Sequence, residues 1–184
     1  MTDTPARRAV RSHSIIAVIV DKLVALCAVI PYALVALGLR FVMARVFFLS
    51  GQTKIEGPRI PINLNLRGFD ELSIVLPVEI KPSTFQMFET DYANLPLPPT
   101  VAAYLFSYAE FVLPICLILG FASRFAALGL LVMVVLMQVY IVPGMWWAAH
   151  VYWVSILMML MSVGPGAISI DGLIRYVYER DKTA

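Results

Sequence analysis

The chain reads as an all-α membrane protein: a bundle of four transmembrane helices with an extracytoplasmic β-hairpin inserted between the first and second. Three observations predict this. Of 184 residues, 60% are hydrophobic and only 14% charged, against about 45–50% and about 25% in soluble domains. The mean hydropathy is +0.83. The apolar residues also fall in runs of roughly 20, the length that crosses a bilayer. These figures exclude a large soluble catalytic domain. Fourteen basic and twelve acidic residues leave a formal charge of +2, too little for a nucleic-acid-binding surface.

A basic leader with Arg7, Arg8 and Arg11 opens the chain. Residues 15–49 are then mostly apolar, about 52 Å if fully helical, too long for one span and too short for two. Asp21, Lys22 and Pro31 interrupt the first half. Residues 12–25 are therefore expected to form an interfacial helix within a cytoplasmic N-terminus, 1–27. The first span is expected over 28–50, closing at Ser50 and Gly51. A competing reading places it at 15–37, with Arg40 and Arg45 outside. Asp21 and Lys22 spoil any cleavable signal, and the arginine pair reads as a topology anchor.

Residues 51–100 carry the polar insertion. Ile60, Ile62, Leu64 and Leu66 alternate with other residues, Gly68 marks a turn, and Ile74, Leu76, Val78 and Ile80 repeat the alternation. That period of two predicts a β-hairpin. Ser83 and Gln86 have the spacing of a capping box. Phe85, Phe88 and Tyr92 then fall on one helical face, predicting a short amphipathic helix on the membrane surface or the bundle mouth.

The remaining spans are expected over 101–121, after the proline-rich start at 96–99; over 125–142, after a tight turn; and over 146–163, stopped by Gly164-Pro165-Gly166. Ile170, Leu173, Ile174 and Val177 make an apolar stripe on a surface helix, and 176–184 form a cytoplasmic tail. Basic residues in the leader, the 120–125 turn and the tail, with none in the 142–147 turn, predict cytoplasmic termini and an extracytoplasmic 51–100 segment.

Ionisable groups inside hydrocarbon are costly, so each is a site candidate. Arg45, Glu110, Gln138 and His150 fall in one half of the membrane, one from each span. Charge balance pairs Arg45 with Glu110, and Gln138 with His150 completes a polar ring; the same groups equally suit interhelical packing. Lys54 sits at the mouth of the first helix as an anchor or an anion guide. Arg40, 140° around the helix from Arg45, cannot share its pocket. No catalytic residue is assigned. The methionines, among them Met133, Met137, Met158, Met159 and Met161, lack matching Cys or His partners, so no metal is expected. Cys27 and Cys116 form no recognisable framework. No phosphate loop, zinc helix or nucleophile elbow is present.

Several stretches resemble one family. Arg45 to Lys54 (RVFFLSGQTK), Ala109 to Pro114 (AEFVLP), Gly120 to Gly129 (GFASRFAALG) and Gly164 to Asp171 (GPGAISID) are similar, in order and spacing, to DoxX-family membrane proteins. The resemblance implies a multi-pass bacterial inner-membrane protein, with relatives in thiosulfate:quinone oxidoreductase and in oxidative- or metal-stress systems. It implies that Arg45, Glu110 and His150 line a polar pocket. The 59–80 hairpin reads as an insertion relative to shorter members. The functional expectation is a redox-linked subunit offering a quinone or small anion a site near the outer face. It would have no covalent cofactor, with quinone as the bound group. The alternative is a non-catalytic anchor or assembly subunit docking an extracytoplasmic partner through the hairpin. Expected partners are the bilayer and either such a protein or a second copy. Four short spans without a broken-helix repeat argue against a stand-alone transporter.

Overall fold

The computed structural model describes residues 15–62 and 72–183. It divides into two units, one ending at Pro31 and one beginning at Tyr32. In the first unit, α1 (Ile15–Cys27) is a helix of 13 residues, followed by a turn through Val29 and Ile30. Its leucines and valines are largely exposed. The basic leader lies outside the described residues.

The second unit opens with α2 (Tyr32–Lys54), just after the proline that cannot continue a helix. Its start disfavours the 15–37 span, and it differs from the expected 28–50 at both ends. Gly51 does not stop the helix. It lies where α2 meets the next span, and a Cβ there would stand 3.0 Å from the Glu110 carbonyl oxygen. The glycine is a packing device, and the helix runs on to Lys54.

After α2, β1 (Ile55–Glu56) pairs antiparallel with β4 (Glu79–Ile80), and β2 (Arg59–Ile62) with β3 (Leu72–Val75), Arg59 opposite Val75. A small hairpin therefore stands where alternation predicted one. Its expected tip, with Leu64, Leu66 and the turn at Gly68, lies outside the described residues. Ile55 and Ile80 are buried at the base, but Ile60, Leu76 and Val78 are exposed, so the stripe is covered only near the bundle. Gln52 clamps the hairpin: its Oε1 accepts the Val75 N–H at 2.6 Å and its Nε2 donates to the Val75 carbonyl at 3.2 Å.

The short helix α3 (Pro82–Thr90) follows, with proline in its first turn. The expected capping box does not form; Lys81 holds the cap position without a side-chain hydrogen bond. The aromatic face does form. Phe88 is fully buried and meets the Phe106 ring at 5.6 Å, and Phe85 meets Tyr104 at 5.4 Å, which seats α3 on α4 (Pro99–Leu119).

The third span is α5 (Ser123–Leu136) continued by a π-helical turn to Ile141. The fourth is a 3₁₀ turn at Pro143–Met145, a second π-helical turn at Trp146–His150 and α6 (Val151–Val163). These four helices are long and apolar enough to cross a membrane. α2 packs on α4 and α6, and α5 packs on the same two, closing a ring of four. Ala36, Ala44, Ala102, Ala103, Ala126 and Ala127 are buried and let the backbones approach. Phe47, Phe106, Leu117, Leu130 and Leu157 fill the centre. The outward faces are apolar too, with Leu105, Phe125, Val132 and Tyr152 exposed, as lipid-facing surface requires. The last helix, α7 (Ile170–Thr183), carries exposed Leu173, Ile174 and Val177 on one stripe.

Candidate functional site

The inward face of α2 follows a stripe of Ala36, Arg40, Met43, Phe47, Gly51 and Lys54, the spacing of three and four residues that keeps one helical face turned to a partner. Two cations sit on that stripe, fourteen residues apart, and each organises one end of the bundle.

At the end of α2, Lys54 turns back along its own helix into the bundle. Its Nζ meets Glu110 of α4 across both carboxylate oxygens, at 2.6 and 2.5 Å, and donates to Ser50 Oγ at 3.2 Å. The Glu110 side chain is 1% exposed and that of Lys54 6%. Charges removed from water this completely need each other: several kcal/mol of lost hydration per ion is recovered only when geometry is close and hydrogen bonds remain. The close approach permitted by Gly51 brings the helices near enough for this contact. α3 roofs the pair. The Lys54 carbonyl accepts the Lys81 N–H at 3.1 Å and the Thr84 hydroxyl at 3.0 Å. Tyr92, just beyond α3, feels the carboxylate below: burial, then the charges of Glu110 and Asp91, push its phenol above its ordinary range. Ser107, three residues before Glu110 on the same face of α4, is fully buried, and its hydroxyl finds no partner among the described residues.

The expected Arg45–Glu110 pair is therefore corrected. Arg45 is exposed, and nine residues place it about 180° around α2 from Lys54. Only one of the two can face Glu110, and the stripe chooses Lys54. The signal was legible in the run of small and apolar residues that shares Lys54's face. Lys54, expected at the mouth as an interfacial anchor or an anion guide, is instead a member of the buried cluster.

Gln138 and His150 do come together. The missing N–H of Pro143 breaks helical bonding, and the backbone widens into a π turn on either side. One such turn presents Gln138 and the other His150. Gln138 Oε1 lies 2.6 Å from His150 Nδ1, while its Nε2 donates to the Pro143 carbonyl at 2.6 Å. His150 is buried against Trp153, ring centroids 5.2 Å apart, and Trp153 meets Phe47 of α2 at 5.8 Å. His150 thus stands about one turn nearer the Lys54 end than Phe47 does.

Arg40, without a role in the sequence reading, organises the opposite end. Fully buried, it donates from Nη2 to the Ile168 carbonyl at 2.5 Å and from Nη1 to the Ile118 carbonyl at 3.4 Å, while Nε has no partner among the described residues. Gly120, at φ +70°, ends α4 in a left-handed turn, and a Cβ there would collide with Arg40 and Ser169. Asp171, opening α7, receives the N–H groups of Ala122 and Ser123 at 2.8 and 2.9 Å and the Ser123 hydroxyl at 2.6 Å. Burial pushes the Asp171 carboxyl upward, but these donors and the charge of Arg175 outweigh it and hold it below its ordinary range. Tyr32 donates to the Gly164 carbonyl at 2.7 Å. No group of three or more His, Cys, Asp or Glu able to hold a metal ion occurs among the described residues.

Fold and site together define a multi-pass membrane protein: four apolar helices in a ring around a buried lysine–glutamate pair. The family model described as DoxX matches residues 35–143, which spans three of the four helices, the hairpin and that pair. The chain belongs to the DoxX family. No curated protein and no solved structure matches it.

Proposed function

We propose that this DoxX protein is a bacterial inner-membrane subunit of a redox-linked system, and that the Lys54–Glu110 cluster forms part of a site for a quinone or a small anion. The observation that carries the reading is a lysine–glutamate ion pair sealed inside an apolar bundle, with the unpartnered Ser107 hydroxyl on the same face of α4. Intramembrane charges of this kind mark ligand and proton sites. Lys54 would stabilise negative charge on a ligand oxygen, and Glu110 and His150 would exchange protons with it. No covalently held redox group is invoked, so electrons pass through the quinone or a partner subunit. Arg124, Arg175, Arg180 and Lys182 belong to one end of the bundle, which supports cytoplasmic termini and an outward-facing hairpin and α3.

The test is quinone-dependent electron transfer in membranes carrying Lys54→Met, Glu110→Gln or Arg45→Ala. The first two are expected to lose activity while the protein still accumulates, and Arg45→Ala to keep it. Full activity in both Lys54→Met and Glu110→Gln would overturn the site.

A second reading, a non-catalytic anchor or assembly subunit, is favoured by the exposed Ile60 on the two-stranded β2–β3 sheet with its open edges, and by the exposed Leu76 and Val78 in the segment that follows it. Such edges accept a further strand. Removal of residues 59–80 should then abolish co-purification of an extracytoplasmic partner, or association with a second copy, without unfolding the bundle. Unchanged co-purification would count against it.

A further inference from the structure

We infer that Gln138 holds His150 in its Nδ1–H tautomer, so that Nε2 presents a lone pair, and that the site therefore prefers a hydroquinone to the matching quinone. The ligand half of this inference rests on the quinone-class reading above; the tautomer half does not.

The argument begins at Pro143. Its carbonyl only accepts, and a Gln138 amide end lies 2.6 Å from it. That end must be the NH₂ group, because the reversed amide would hold two oxygens against each other. The other end, 2.6 Å from His150 Nδ1, is then the acceptor oxygen, and Nδ1 must carry the hydrogen. A neutral imidazole has one N–H, so Nε2 is bare. The two π turns that set these residues face to face make the arrangement a property of the backbone around Pro143 rather than of one rotamer.

A bare ring nitrogen discriminates by hydrogen-bond polarity. A quinone offers only carbonyl oxygens, whose lone pairs meet that of Nε2 without a hydrogen between them. A hydroquinone offers O–H, which donates to it. The flat ring of Trp153 beside His150, with Phe47 behind it, suits an aromatic headgroup. Sites built around one polarity of hydrogen bond reject the analogue that lacks it more strongly than apolar pockets reject a size change.

The experiment uses the full chain in detergent at pH 8, labelled with ¹⁵N-histidine and carrying His13→Asn so that one imidazole reports. The expected spectrum shows a protonated Nδ1 and an unprotonated Nε2; the reverse pattern overturns the proposal. In parallel, binding of a short-tailed benzoquinol and the corresponding benzoquinone is measured. The quinol is expected to bind roughly tenfold more tightly. Gln138→Leu should collapse that ratio toward one, whereas Lys54→Met should weaken binding without erasing the preference. An unchanged ratio in Gln138→Leu overturns the inference and leaves the quinone-class site standing. If neither ligand binds the wild-type chain, the ligand preference falls with the quinone-class reading, while the spectrum still decides the tautomer.

Discussion

Arg40 and Lys54 share the inward stripe of α2, yet their surroundings differ in kind. Arg40 is neutralised by main-chain carbonyls of Ile118 and Ile168, held in place by the Gly120 turn and the start of α7. Carbonyl dipoles do not titrate, so the groups that hold the Arg40 guanidinium keep one charge state; the titrating group at this end is Asp171, which is held by Ala122 and Ser123. Lys54 is neutralised by the Glu110 carboxylate, a side chain rather than main chain, with the unpartnered Ser107 hydroxyl on the same face of α4. A buried cation held by backbone is a fastener. One held by a carboxylate can respond to a proton or a ligand.

The comparison breaks most readily at Glu110. Glu110→Ala leaves Lys54 buried without a counter-charge and is expected to cost about 3–5 kcal/mol, read from thermal unfolding in detergent. The double change Lys54→Met with Glu110→Leu should recover most of that loss. Failure to recover would mean that the pair contributes net stability and is no isolated electrostatic site.

A smaller effect is expected at the helix crossing. Gly51→Leu forces α2 away from the Glu110 backbone and should cost about 1–3 kcal/mol as overpacking. It should lower ligand binding along with stability, whereas Gly38→Leu, where a Cβ meets nothing within 4 Å, should do neither.

At the fastener end the effect is pH-dependent. The folded Asp171 carboxyl lies below its ordinary range, so its stabilisation is present above that range and lost as pH falls through the folded value. Unfolding midpoints measured from neutral to acid pH should drop along that limb, and Asp171→Asn should start lower and flatten it. A variant retaining the wild-type acid limb would remove Asp171 from the lock.

The smallest effect is at the roof of the ion pair. The Tyr92 phenol lies above its ordinary range, so its contribution is intact below that range and lost as pH rises from there through the folded value. Difference titration of phenolate absorbance between wild type and Tyr92→Phe should show one late-ionising tyrosine. Adding Glu110→Gln should bring that ionisation earlier, because a neighbouring negative charge is gone.

Much of this architecture was legible in the residues themselves. Runs of lipid-compatible length located four helices, and Gly164-Pro165-Gly166 located the last break. The alternation of Ile60 and Ile74 located the hairpin, and Phe85 and Phe88 the buried face of α3. Gln138 and His150 were grouped by depth along the chain, and the structure brings them into contact. Depth was not enough for Arg45, because a helix has a circumference as well as a length: the right level on the wrong face is solvent or lipid.

Composition and spacing alone therefore determined that this chain is a four-span membrane bundle with a polar insertion, because burial in lipid is a requirement on each segment separately. Only the tertiary structure decided that Glu110 belongs to Lys54, that Arg40 belongs to two distant carbonyls, and that the Gln138 amide faces the His150 ring. Those choices depend on which helical faces meet and how closely, and contacts between residues 12 to 128 positions apart are properties of packing, not of any one segment.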